Sequence, residues 1–160
     1  MQVFNRLSNV MGDASFAQPV ISDSGATRSL NETESGSLVL MNRAAGIVYT
    51  LPATPKVGTF FDFVVTTSVT TNSYKVITGS GTEILIGGYT NVDTDTTNAV
   101  AVFTGNNSTH IAVTQAAAST NSTGGLVGSK LRFTCLSSTR WMVEGIVMGA
   151  GSPATAFATS

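Results

Sequence analysis

Few residues in this chain have the types that do chemistry, and none has the companions a reaction needs. His110 is the sole histidine. It opens the segment HIAVT, where alternation groups it with Ala112 and Thr114 opposite Ile111 and Val113. That placement turns it away from a core, and a histidine base needs an orienting partner. Asp93 and Asp95 in NVDTDTTN have a D-x-D spacing that offers oxygen ligands to a hard cation. No glycine or distal glutamate follows at the EF-hand spacing, so a solvated loop is expected rather than an ion site. The single cysteine, Cys135, shares an apolar face with Leu131 and Phe133. It reads as a buried small hydrophobe, and one cysteine builds neither an internal disulfide nor a cysteine-based zinc site. The glycine-rich pieces GSG, GGYT and TGGLVG lie between no strand and convincing helix, so they are turns and not phosphate cradles. Polysaccharide hydrolysis requires two suitably disposed carboxylates, and the nine acids fall mostly in loops. The one cluster suited to a glycan is Tyr89 beside Asn91, Asp93 and Asp95. The expectation is a protein with no catalytic, cofactor or metal residues.

The elements that would position these residues are strands. Thr, Ser, Asn and Gly dominate the polar positions while Lys, Glu, Gln and Arg are scarce, an all-β composition. Nine short apolar runs are bounded by turn residues: 37–42, 46–52, 60–67, 73–78, 83–88, 99–104, 110–114, 130–136 and 140–147. Their short connections predict antiparallel neighbours, with a hairpin joining 37–42 to 46–52. Residues 1–22 form an N-terminal arm, extended or briefly helical, because Val3, Phe4, Leu7, Val10 and Met11 approach helical spacing. Such a segment either docks on the domain or orders on a partner. Residues 23–148 are the β-sandwich domain, with 22–36 read as a loop carrying one helical turn, and 149–160 a tail that is flexible or ordered by an interface.

Alternation separates Leu131, Phe133 and Cys135 from Arg132 and Thr134, and Tyr74, Val76 and Thr78 from Lys75 and Ile77. FFDFVV and RWMVEGIV are apolar on both faces. Their aromatic residues, Phe61, Phe63 and Trp141 among them, read as core or subunit-interface anchors, and the surplus apolar strand surface calls for an interface.

Composition limits the partners. Charged residues make up 11% of the 160 and the formal net charge is −1, which gives no electrostatic grip on a nucleic-acid backbone. No apolar run reaches the roughly 20 residues of a membrane helix, and Met1 to Val10 lacks the basic and apolar regions of a secretory leader. Neither nucleic acid nor membrane is expected as a partner, and synthesis in the cytoplasm is.

The segment LNETESGSLVLMNRAAGIVYTLPATPKVGTFFDFVVTTSVTTNSYKVIT, with EILIGG and the later RWMVEGIV, carries a recognisable order of marks. These are Ser35 and Gly36, Thr50 to Pro52, Gly58, Phe60, Phe61 and Phe63, Gly87 and Gly88, and Trp141 with Gly145. In that order and spacing, residues 30–147 resemble a group of small structural proteins of tailed bacteriophages, common in marine and cyanobacterial phages. The resemblance implies a jelly-roll-like β-sandwich that assembles as a homotrimer. It further implies a place on the outer surface of the virion, as a capsid decoration (cement) protein on the major capsid protein, or alternatively as a head-fibre, tail-fibre or spike module binding a host surface glycan. On that reading, Phe4, Leu7, Met11 and Phe16 of the arm contact the capsid floor or an adjacent trimer. The arm and the loop 115–128 lie outside the part that matches.

Overall fold

The computed structural model describes residues 17–95, 99–106, 108–116 and 121–160. The four arm residues expected to touch a capsid, Phe4, Leu7, Met11 and Phe16, lie outside the described residues. Among those described there is no α-helix, and twelve strands form two sheets. The first six are β1 (Val20–Ser22), β2 (Thr27–Ser29), β3 (Leu38–Met41), β4 (Val48–Thr50), β5 (Phe60–Val65) and β6 (Ser73–Ile77). They alternate between the sheets, so that β1, β3 and β5 stack in parallel in one while β2, β4 and β6 stack in parallel in the other. The chain winds like a short solenoid. Parallel neighbours need a long crossover, and here the crossover runs through the opposite sheet.

The remaining strands close the winding. They are β7 (Ile84–Asp93), β8 (Val100–Thr104), β9 (Ala112–Ala116), β10 (Lys130–Ser137), β11 (Arg140–Gly149) and β12 (Phe157–Ala158). The seven-stranded sheet has the order β1-β3-β5-β10-β11-β7-β8 and the five-stranded sheet β12-β9-β6-β4-β2. β10 is antiparallel to both β5 and β11, whereas β11 runs parallel to β7.

The fold is therefore an all-β sandwich, as its composition indicates, but its sheets are mixed rather than antiparallel. The parallel winding departs from a jelly roll, whose Greek keys pair antiparallel strands. The expected hairpin between 37–42 and 46–52 is a corner between sheets. Arg43 donates from Nη1 to the Gly46 carbonyl at 2.6 Å, and Gly46 N–H returns to the Arg43 carbonyl at 2.8 Å. Gly46 has φ +77°, and a Cβ there would lie 2.2 Å from the Ser73 carbonyl oxygen. Only glycine lets the corner sit directly on the start of β6.

Each of the nine expected runs overlaps a strand, four of which (β7, β9, β10 and β11) extend past the expected end, and three further strands lie in the expected loop, arm and tail. β1 and β2 lie at 20–29, and the expected helical turn is the 3₁₀ turn Glu32–Glu34. β12 pairs with β9, so the sheets extend from Val20 to Ala158, beyond the expected 23–148. The tail is ordered on its own chain: Ala154 N–H donates to the Ser122 carbonyl at 2.8 Å, and Ala156 N–H donates to Tyr89 Oη. Glu83, 1% exposed, joins two loops by accepting from the backbone N–H of Thr54 at 3.1 Å and of Ser80 at 2.9 Å.

The core fills the space between the sheets. Phe61, Phe63 and Trp141 are all buried there, together with Tyr49, Tyr74, Phe133 and Leu85. Phe63 packs edge-on against Tyr49 at 5.4 Å and Phe133 at 5.3 Å, which links the two sheets through one aromatic row. Replacing Phe63 by Ala is expected to lower unfolding free energy by about 3–5 kcal/mol in urea titration, whereas Thr27→Ala, on an outer face, stays within about 0.5 kcal/mol.

Candidate interaction face

Strand pairing fixes which residues share the outer side of the seven-stranded sheet. Phe61, Phe63 and Val65 of β5 point into the core, so Phe60, Asp62 and Val64 point out. One row across the sheet reads Val20, Leu38, Asp62, Arg132, Glu144, Gly88 and Thr104. The next reads Ser22, Leu40, Val64, Lys130, Ile146, Thr90 and Val102. Beyond it Met148, Val92 and Val100 are aligned, and on the other side Phe60, Thr134, Met142 and Ile86. The face is mainly aliphatic. Val20, Val100, Val102 and Ile146 on it are exposed by 48–71%. The outer side of the five-stranded sheet is more polar, with Thr27, Ser29, Thr50, Ser73, Lys75 and Thr114 at outward positions beside a half-buried Val48 and Ile77.

One ion pair organises the middle of the apolar face. Arg132 donates from Nε to Asp62 Oδ1 at 2.8 Å and from Nη2 to Oδ2 at 2.6 Å, a bidentate clamp between directly paired residues. Gln18 Nε2 donates to Asp62 Oδ2 at 2.7 Å. The carboxylate is thereby 1% exposed although it sits on the outside, while the Arg132 side chain remains 41% exposed and lies 4.8 Å above the Phe60 ring. The Arg132 hydrogen bonds hold the Asp62 carboxyl below the usual carboxylate range, against the desolvation that burial imposes, with Gln18 contributing further. Beside the pair an open groove of about 570 Å³ lies over the outer side of β10 and β11, lined by Lys130, Arg132, Glu144, Ile146, Met148 and the Asp62 edge.

The residues singled out for chemistry lie elsewhere and are not brought together. His110 stacks on Phe157 at 5.4 Å, and its Nδ1 accepts from Asn106 N–H at 3.0 Å, so its ring is used in packing. Cys135 is buried, and desolvation raises its thiol pKa, which opposes thiolate formation. Asp95 N–H donates to Asp93 Oδ1 at 3.0 Å and Gly151 N–H to Asp95 Oδ2 at 2.7 Å, so both carboxylates brace backbone. Among the described residues no three His, Cys, Asp or Glu side chains converge on a point. Tyr89, Asn91 and Asp93 are at most 2% exposed, which removes them as a glycan surface. Burial also raises the Tyr89 pKa, and its hydroxyl serves the tail.

Sequence reasoning missed Asp62 with Arg132. The available signal was a charged residue at an outward position inside each of two apolar strands, FFDFVV and KLRFTCL. The pairing of those strands, which puts the two charges opposite each other, is not written in either. Comparison with known protein families, with curated proteins and with solved structures finds no match to this chain.

Because the Asp62 pKa is lower in the folded state than its unfolded value near 3.9, its contribution is complete above that pH and is lost as pH falls through the folded value. With Arg132 41% exposed, solvent screening keeps the pair modest. Asp62→Asn should cost about 1–2 kcal/mol at neutral pH and give a flatter stability profile below about pH 4 than the wild type, read from urea midpoints against pH.

Proposed function

We propose that this chain is a structural protein of a tailed-phage virion, a capsid decoration (cement) protein that binds the outer surface of the head as a homotrimer and stabilises the shell. The observation that carries the reading is the outer face of the seven-stranded sheet, on which Val20, Val100, Val102 and Ile146 are exposed. Exposed apolar surface of this kind is a mark of a protein contact. The resemblance over residues 30–147 supplies the setting, and the all-β sandwich is compatible with it. A clamp that buries surface across several shell subunits stabilises them by mass action, without a reaction. The role is non-enzymatic, and it uses no cofactor. Its partners are further copies of itself and the major capsid protein, rather than nucleic acid or membrane. In this reading Phe4, Leu7, Met11 and Phe16 make the capsid contact, and the protein is made in the host cytoplasm before joining the virion surface. The burial of Tyr89, Asn91 and Asp93 favours cement over a glycan-binding fibre or spike.

Quantitative mass spectrometry of purified virions tests this through the copy number relative to the major capsid protein. A ratio near one is expected; a ratio of a few per cent assigns the chain to a fibre or tail, and its absence overturns the virion reading. Removing residues 1–16 is expected to abolish occupancy of the capsid, and unchanged occupancy excludes the arm as the contact.

A further inference from the structure

We infer that the outer face of the seven-stranded sheet is the surface through which one copy of this chain packs against another. The inference deepens the homotrimer part of the proposed function and rests on that part alone, not on the virion setting.

Three observations favour a second copy as the occupant. The first is extent. Seven strands at about 4.8 Å spacing and four outward rows at about 6.6 Å give a footprint of roughly 600 Å² before side-chain relief, in the range of the roughly 800 Å² per partner of a stable interface. The second is contrast. The exposed large hydrophobic side chains carried by strands, Val20, Val100, Val102, Leu136 and Ile146, all belong to the seven-stranded sheet, whereas the outer side of the five-stranded sheet mixes Thr, Ser and Lys with a half-buried Val48 and Ile77. The third is charge. Lys130 and Glu144 are exposed on adjacent strands one row apart, and among the described residues neither belongs to an ion pair. The four charges on the face, Asp62 and Glu144 against Arg132 and Lys130, balance, so copies that meet there do so without net charge repulsion. Asp62 and Arg132 complement each other within the chain, so they add no unpaired charge to such a contact.

Ile146 and Val102 lie in the same row, on β11 and β8, and a lysine at either would place a charge inside the contact without touching the core. The experiment is sedimentation velocity at micromolar concentration on the full chain, Ile146→Lys, Val102→Lys, Thr27→Lys on the polar outer face, and the chain lacking residues 1–16. Thermal unfolding of each variant verifies folding. The wild type, Thr27→Lys and the truncated chain are expected to sediment as one oligomer, a trimer. The two face variants should fold and weaken association by at least about 30-fold. A monomeric wild type overturns both the face and the homotrimer. An oligomer indifferent to Ile146→Lys and Val102→Lys overturns the face and leaves the homotrimer standing. Dissociation on removing residues 1–16 assigns the contact to that segment instead, and also overturns the inference. Absence of the chain from virions refutes only the setting.

Discussion

A strand has two sides, and a two-layer sandwich covers one side of each sheet. Everything distinctive here follows from central strands that are apolar on both. On β5, Phe61 and Phe63 enter the core while Phe60 and Val64 face out; on β11, Trp141, Val143 and Val147 enter it while Met142, Ile146 and Met148 face out. The inner set joins the two sheets through the Tyr49, Phe63 and Phe133 row. The outer set contributes much less to the folded chain. It does lower solubility, because water meets Val100, Val102 and Ile146 directly. A partner on that face resolves the conflict, and the proposed trimer is one way to supply it.

The winding of the first six strands decides what the outer face contains. By passing from sheet to sheet at corners such as Arg43 to Gly46, the chain places β1, β3 and β5 side by side in parallel, and β5 then meets β10 in antiparallel register. That register sets Asp62 opposite Arg132, and Arg132 opposite Glu144. An aspartate alone on an aliphatic sheet face would be costly to cover with protein, because its charge would lose water and gain nothing. Clamped by Arg132 and capped by Gln18 it is already desolvated and paired in the single chain. Its desolvation is then met on folding, before any association.

Local periodicity made much of this legible. The nine long runs and the inward set Leu131, Phe133 and Cys135 follow from alternation, which depends only on neighbouring residues. Pairing does not. A gap of three residues between 37–42 and 46–52 is compatible with a hairpin or with a corner, and the choice is made by a close approach to Ser73, far along the chain. β1, β2 and β12 have two or three residues each, too few for a period to appear, and they exist because a neighbouring strand offers an edge. The candidate face is a product of pairing in the same way. Its surplus of apolar residues was readable strand by strand, whereas its ion pair required two strands separated by about 70 positions to be set side by side.

β7 shows most directly how the two sides are used. Its inward residues include Tyr89, Asn91 and Asp93, and its outward ones Ile86 and Val92. For a strand facing water this distribution is inverted. The inward polar groups are spent on the chain itself: Tyr89 Oη accepts from Ala156, Asn91 donates to the carbonyls of Ser122 at 2.7 Å and Ala154 at 3.2 Å, and Asp93 accepts from Asp95. Their bonds hold the C-terminal segment and the 121–125 loop against the sheet end, so the polar column serves the structure. The apolar side then lies where a solvated sheet would carry Thr or Lys, as the five-stranded sheet does at Thr27, Thr50 and Lys75. One chain thus builds two unlike outer faces in the same sandwich, and the exposed large aliphatic side chains of its strands are carried by the seven-stranded one.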